Sequence, residues 1–470
     1  MTDLALRPDV VELSKRLRSD SALSLDGDCP AVVAQAPGRL DVMGGIADYG
    51  GALALQAAVD RAVVVAGQPG RDQRVVIRWL QPTDGRPVAE CAWPLSVLYG
   101  QGGCLVSPQQ FAGYFDDPGC EWARSMAGVF YALLEDRRVP HFAGGVSLVV
   151  DCSVPLGAGL GEGPACQVAV VQVLCALYDC QLAAVEKAQI CGRAAQVMAD
   201  PPGSLRDHLA CLSAEPGGLL QIRCQPHELL GTLSLPRGVK VVAVDSGVRG
   251  DAGTRHIDTR VAAEMARHMI ALGASRDQLP AVGGEYLANI TPEQFVEQFR
   301  DLLPTRLSGR DFVARYGQVG EWASHICPDR VYKVRSRSEH YIYENRRAEQ
   351  FAACIARAGR TGRPEPLIEA GQLMYASHWS YGQRCGFATV PTDRFVSLLR
   401  QRGPDAGLFG ARITDAGTGG ALAVLMYDNE GADRALHDVM HTYRRDTGIE
   451  PSLFHCGSSG AELTGWQRLT

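Results

Sequence analysis

The sequence predicts a chain of mixed strands and helices folded into two or three domains. Three observations carry that expectation. At 470 residues, with 46% hydrophobic and 21% charged side chains, the chain exceeds one ordinary domain and has ample apolar surface for a core. Valine-rich runs of strand length are interleaved with longer runs whose apolar residues recur at helical spacing. A β-branched run at 146–150 leads into four alternating glycines, Gly157, Gly159, Gly161 and Gly163, and then into an apolar helix-like run at 167–177. Strand, glycine-rich loop and helix together offer bare backbone N–H groups and a positive helix end, where an anion can sit.

Taken in order, residues 8–18 predict a short surface helix with Val10, Leu13 and Leu17 on one face. Valine and alanine runs at 31–35 and 59–66 predict strands. Between them lies a segment dense in glycine whose charged residues, Arg39, Asp41 and Asp48, stand among apolar ones. Surface loops mix in Lys, Glu and Ser freely, so this one is either a candidate site or a turn with an internal Arg–Asp pair. Strands are expected at 74–80 and 88–93, and helix within 107–135 after an irregular start, with Trp122, Met126, Val129, Phe130 and Leu133 on one buried face. A helix at 184–198 runs into two prolines and a glycine, which force a rigid turn, and Asp207 follows. Asp207 reads as a general base or as a helix cap. His208 reads as a packed or surface histidine, because no second metal-type residue sits at helical spacing from it.

A composition shift at 213–220 suggests a boundary, dividing the chain into 1–215 and 216–470. Beyond it a buried strand is expected at 238–245. Helices are expected at 261–272, 292–303, 309–316, 341–357, 366–380, 392–400 and 432–447, with a glycine-rich turn between strands at 408–428.

The bulk numbers exclude several classes. A net charge of −6 argues against nucleic acid or an anionic membrane as the main partner. No window approaches 18 uninterrupted apolar residues, and the N-terminus mixes acidic and basic residues without an apolar core, unlike a secretory signal. The 15 cysteines are odd in number and form no paired C-x-x-C repeats. The expectation is reduced thiols in a cytoplasmic protein, without a zinc site or a disulfide framework.

Three glycine-rich stretches in this order resemble the GHMP sugar kinases, above all galactokinase and the kinase portion of plant L-arabinokinase. The most specific is APGRLDVMGGIADYGGALALQ at 36–56, where arabinokinases carry GGIADY and galactokinases GEHTDY. DSGVRG at 245–250, EYLANITPEQF at 285–295, HYIYENRRAEQF at 340–351 and LFGARIT with the glycines after it also look like arabinokinase segments in the right order.

The resemblance implies an α+β fold of two domains, an N-terminal one like ribosomal protein S5 domain 2 and a GHMP C-terminal one, with the site in the cleft between them. It implies a sugar 1-kinase using ATP and Mg²⁺ on L-arabinose or a galactose-like sugar, with sugar and nucleotide as partners. Arg39 matches the arginine that faces the transferred phosphate, and Asp207 the catalytic aspartate at the end of a GAPCGVMD-type segment, which displaces the cap reading. Asp48 matches the sugar-binding aspartate. Gly45 and Ile46 take the places of a Glu and a His, and Ser204 joins the substrate side. Gly157, Gly159, Gly161, Glu162 and Gly163 would carry the nucleotide.

This chain departs from the family mainly on that nucleotide side. The motif's S-S-S-A positions are Gly161, Glu162, Gly163 and Pro164. The family's metal-binding Glu, twelve residues before the catalytic Asp, is Ala195, and the third motif reads Asp415-Ala-Gly-Thr-Gly-Gly420. Proline has no N–H to offer. Glu162 either replaces the lost donors as a ligand to Mg²⁺ or repels a triphosphate. The second account makes the protein a sugar-binding regulator, or a catalyst of another reaction on a sugar or sugar phosphate.

Overall fold

The computed structural model describes residues 13, 15, 17, 30–80, 87–117, 119–199, 204–250, 253–273, 286–317, 323–414 and 420–469. The rigid turn at 201–203, the third glycine motif at 415–419 and most of the expected helix at 8–18 lie outside them. Of that helix, Leu13 is helical and fully buried.

The first sheet is built from β1 (Ala31–Met43), β2 (Leu53–Pro69), β3 (Arg74–Leu80), β4 (Pro87–Pro94), β5 (Val146–Cys152), β6 (Gly218–Arg223) and β7 (Glu228–Ser234). A second sheet takes β8 (Val239–Asp245), and a two-stranded ribbon pairs β9 (Leu307–Ser308) with β10 (Val331–Tyr332). Further along come β11 (Leu408–Ile413), β12 (Ala421–Tyr427), β13 (Ser452–His455) and β14 (Trp466–Leu469). The first sheet runs β14-β1-β2-β5-β3-β4, antiparallel except for the β3–β5 pair, with β6 and β7 added beside β2. The second runs β11-β12-β8-β13, all antiparallel. Together with the helices this is the expected α+β architecture. The composition shift at 213–220 falls at the start of β6, so the first sheet draws on strands from both sides of it.

Each expected strand is present, and several are longer than the valine runs that announced them. β1 continues through the polar Arg39 and Asp41 because both side chains are buried in paired contacts. Helix Glu162–Leu177 lies on β1 and β2, and helices Arg124–Glu135 and Ala184–Ala199 pack on it and on each other to close one core. β8 and β12 form a wall shared by two cores. Val241 and Ala243 face the first, while Val242 and Val244 face the second, as the two-residue period of a strand requires. Both faces being apolar, the run GVKVVAVD shows little alternation.

The second core is covered by helices Gly253–Gly273, Val334–Thr361, Val390–Arg402 and Glu430–Thr447. The expected helix at 292–303 is broken into Pro292–Gln294, a π turn Phe295–Phe299 and a 3-10 turn Arg300–Leu302. Helix Glu365–Ser380 sits directly on β11. A Cβ at Gly371 would overlap the Phe409 carbonyl oxygen, so only glycine permits that approach.

One expectation about the thiols is overturned. Cys91 on β4 and Cys120 are joined in a disulfide, with Cα atoms 5.3 Å apart. The pairing arises because the segment before helix Arg124–Glu135 folds back over β4, which a separation of 29 residues does not announce. The other described cysteines are free. No described helix is long and apolar enough to cross a membrane.

Substituting Gly371→Ala is expected to lower unfolding stability by about 1–3 kcal/mol, because helix and strand must separate to admit the methyl group. Urea denaturation measures it, and an unchanged midpoint would show that this contact is not tight.

Candidate active site

The site is assembled where β1, the turn after it and the glycine loop converge. β1 shifts register between Pro37 and Arg39, a bulge that re-aims the arginine. Gly38 lets the loop lie against the strand there, since a Cβ would stand 2.7 Å from the Leu160 carbonyl oxygen. The Arg39 N–H donates to that same oxygen at 2.7 Å, and its Nη1 donates to the Gly159 carbonyl at 2.7 Å. The phosphate-type loop and Arg39 are thus one rigid unit.

Asp207 is the second residue of helix Arg206–Ser213, whose cap position is Leu205. Its side chain is therefore available for other partners. Arg39 Nη2 holds Oδ2 at 2.8 Å, and Arg206 Nε holds Oδ1 at 3.0 Å. Burial pushes this carboxyl up, but the charges of Arg206 and Arg39 and the Arg39 hydrogen bond outweigh it and hold it well below the usual carboxylate range. Asp207 is an ionised acceptor clamped on both oxygens.

The turn expected between the first two strands is a 3-10 helix, Gly45–Gly50, and nearly all of it is buried. Asp41 anchors its start. Asp41 Oδ1 accepts the Gly45 N–H and the Gln56 Nε2, each at 3.1 Å, while Oδ2 pairs with Arg412 Nη1 at 3.1 Å. Neither Asp41 nor Arg412 is exposed at all, and the pair ties β1 to β11 across the two sheets. Tyr381, under the Arg412 guanidinium, accepts the Ile46 N–H at 2.7 Å, and its hydroxyl fills the space that a Gly45 side chain would need.

Asp48 has a fully buried carboxylate. Its Oδ2 lies 3.3 Å from Arg206 Nε and its Oδ1 accepts the Tyr49 N–H at 2.8 Å. Burial raises its pKa in spite of Arg206, Arg260 and a hydrogen bond from Ser204. Arg206 also donates from Nη1 to the Gly45 carbonyl. This arginine is the residue that sequence reasoning missed. It stands next to Asp207 in sequence, where neighbouring side chains on a helix point apart. Nothing local signals that it reaches both aspartates.

A cavity of about 1040 Å³ opens beside these groups. Tyr49, Ser204, Arg206, Asp207, His256 and Arg260 line one end. Gly163, Pro164 and Gln167 line its middle, and Trp122, Pro108, Ala112 and Arg124 the other end. Asp48, Gly45 and Ile46, expected on the substrate, do not line it. His208 is buried with Nε2 2.7 Å from Gln167 Oε1, and burial pushes its pKa down to about 4. His256 is driven well down by burial and by Arg260. Arg260 stacks on the Tyr49 ring, 3.4 Å from its centroid.

The glycine loop has the backbone of an anion cradle. Gly157, Gly159 and Gly161 all take positive φ, and Gly161 caps the helix Glu162–Leu177. Glu162, however, turns back so that its Oε1 accepts the Gly157 N–H at 2.8 Å. Through this contact one oxygen of its carboxylate is held on its own loop. Gly163, Pro164 and Ala195 face the cavity without a side-chain oxygen, and the described residues contain no group of three His, Cys, Asp or Glu that could hold a metal ion. The described donors do not fit the Mg²⁺ that the resemblance implies.

Comparison with known proteins agrees with this geometry. The profile of the GHMP kinases N terminal domain matches residues 125–215, and the galactokinase galactose-binding signature matches 25–69. L-arabinokinase of Arabidopsis thaliana is 29% identical over 93% of this chain, which spans about half, 46%, of that protein. A galactokinase of Chloroflexus aurantiacus is 27% identical over 85% of each chain. The crystal structure of Lactococcus lactis galactokinase complexed with galactose superposes with a TM-score of 0.73 over 96% of this chain and 99% of that one, at 16% identity. A mevalonate kinase shares the fold at a TM-score of 0.54. The chain thus carries a GHMP kinases N terminal domain match and a galactokinase galactose-binding signature, and it shares the fold of galactokinase.

Proposed function

We propose that the protein is a sugar 1-kinase that transfers the γ-phosphoryl group of ATP to the anomeric hydroxyl of a monosaccharide. The observation that carries this reading is the Arg39–Asp207 pair, with Asp207 lining the cavity and Arg39 fixed to the glycine loop. Phosphoryl transfer asks little covalent work of the protein; it needs an oriented hydroxyl and compensation of charge. Asp207, ionised and clamped, accepts the hydroxyl's hydrogen bond and takes its proton as the bond from the anomeric oxygen to phosphorus forms. The bridge between the β- and γ-phosphates breaks in the same step, and ADP leaves. Arg39, buried behind Asp207 with its two Nη groups on Asp207 and the Gly159 carbonyl, keeps that carboxylate ionised and adds positive charge beside the reacting oxygen.

The cavity is ample for a nucleotide and a sugar together, at the upper end of the ~300–1,000 Å³ usual for ligand pockets. Trp122 and Pro108 offer an apolar end for a base, while the start of a 16-residue helix lies midway, where phosphate groups would pass. The related L-arabinokinase and galactokinases support a monosaccharide as acceptor.

A second reading is favoured by Glu162. With its carboxylate on the Gly157 N–H, the loop already holds an anion, and a protein that binds or transforms a sugar without ATP would tolerate that arrangement.

Two measurements separate the readings. In a coupled ADP-release assay across pentoses, hexoses and their acid derivatives, turnover is expected with at least one sugar, and Asp207→Asn should lower kcat by about 10²–10⁴-fold. No ADP release with any sugar would sink the kinase. Glu162→Ala removes the resident carboxylate, so calorimetry should show ATP binding about tenfold more tightly than to the wild type. If the same change abolishes ATP binding, Glu162 serves the nucleotide's cation and the self-occupied loop is not the ground state.

A further inference from the structure

The groups through which the first motif was expected to hold a sugar are all engaged elsewhere. The Asp48 carboxylate is buried behind Arg206, the Gly45 carbonyl accepts from the same arginine, and the Gly45 and Ile46 N–H groups donate to Asp41 and Tyr381. In their stead Arg206, Arg260, Ser204 and His256 line that end of the cavity, with Asp207 at the reacting position. That end thus presents two guanidinium groups, Arg206 shared between Asp48 and Asp207, and Arg260 on the Tyr49 ring.

The guanidinium groups set what that end asks of a ligand. A carboxylate such as Asp48 accepts hydrogen bonds from sugar hydroxyls. Guanidinium groups only donate, and their strongest partners are carboxylates and phosphates. Arg206 and Arg260 are buried, at 3% and 9% exposure, so a charge brought against them is poorly screened by solvent. Arg260 is steadied on the Tyr49 ring and by a 2.8 Å hydrogen bond to His256 Nε2, which makes it a fixed group rather than a mobile surface charge.

We propose that the sugar end of the cavity takes a monosaccharide bearing an anionic substituent, a carboxylate or a phosphate, away from the anomeric carbon, and that Arg206 and Arg260 are its specificity-determining residues. This rests on the sugar 1-kinase reading for the position of the anomeric hydroxyl at Asp207. It goes beyond that reading in naming the substrate class, and it removes L-arabinose and D-galactose as preferred acceptors.

The test is calorimetric binding to the full chain without nucleotide, using D-galactose, L-arabinose, D-galacturonate, D-glucuronate and D-galactose 6-phosphate. An anionic sugar is expected to bind about tenfold or more tightly than its neutral counterpart, as a charge-assisted contact implies, and to weaken as salt is raised. Tight binding of the uronates identifies a carboxylate as the recognised group; tight binding of the 6-phosphate alone identifies a phosphate. Arg206→Met, which uncovers Asp48, should reverse the preference towards neutral sugars. Arg260→Gln should reduce it about tenfold and decides the matter if the first variant fails to fold. Equal or tighter binding of neutral sugars to the wild type, or binding of none of the panel, overturns the proposal. Tight binding of an anionic sugar without ADP release would sink the kinase and leave this inference standing; ADP release with neutral sugars alone would do the reverse.

Discussion

One guanidinium, that of Arg206, ties together three parts of the chain that the site cannot do without. It reaches Asp207 on its own helix, Asp48 in the turn after β1, and the Gly45 carbonyl at the start of that turn. Burying ions is expensive, of the order of several kcal/mol each, unless each finds partners. Here two aspartates share Arg206, and Arg39 completes the grip on Asp207 from the other side. The Asp207 carboxylate, the first motif and the glycine loop are consequently held in one charge network. The neighbouring Asp41–Arg412 pair fixes that network to the second sheet.

The two ends of the cavity have diverged in different ways around an unchanged centre. At the sugar end the acidic contact has withdrawn behind a cation. At the nucleotide end the hydroxyls are gone, and a carboxylate rests on a loop N–H. Both changes involve charged groups: two guanidinium groups where a neutral sugar would lie, a carboxylate where phosphate would lie. Between them the Arg39–Asp207 pair keeps the geometry of an ionised acceptor beside a fork of donors. Such a site fits the proposed phosphoryl transfer onto an oriented hydroxyl, in which Glu162 would govern how readily the donor enters.

Much of this was legible in the residues. The strand, glycine loop and helix at 146–177 follow from a β-branched run, alternating glycines and an apolar run, and they appear as Val146–Cys152 and Glu162–Leu177. That Arg39 and Asp207, 168 positions apart, belong to one site came from resemblance and not from periodicity, because tertiary contacts of that range leave no local trace. Arg206 was invisible for a related reason: nothing in the local sequence shows that it reaches Asp48 and the Gly45 carbonyl as well as its neighbour Asp207. The Cys91–Cys120 bond and the self-directed Glu162 depend on how loops fold back, which spacing does not encode. Asp41 was read with Arg39 and Asp48 as part of either a candidate site or a turn with an internal Arg–Asp pair. It proves to be the fully buried anchor of the turn, a role set by Arg412 from the far end of the chain.

The central claim is that Asp207 activates an anomeric hydroxyl toward ATP in a pocket walled by arginine. Phosphorus-31 NMR of the protein with ATP and a uronate tests it most directly, because a phosphate on C1 couples to the anomeric proton. The account predicts a new resonance with that coupling, growing as ADP appears and absent with Asp207→Asn. Unchanged ATP and sugar across the whole panel, or a product phosphorylated away from C1, would contradict it.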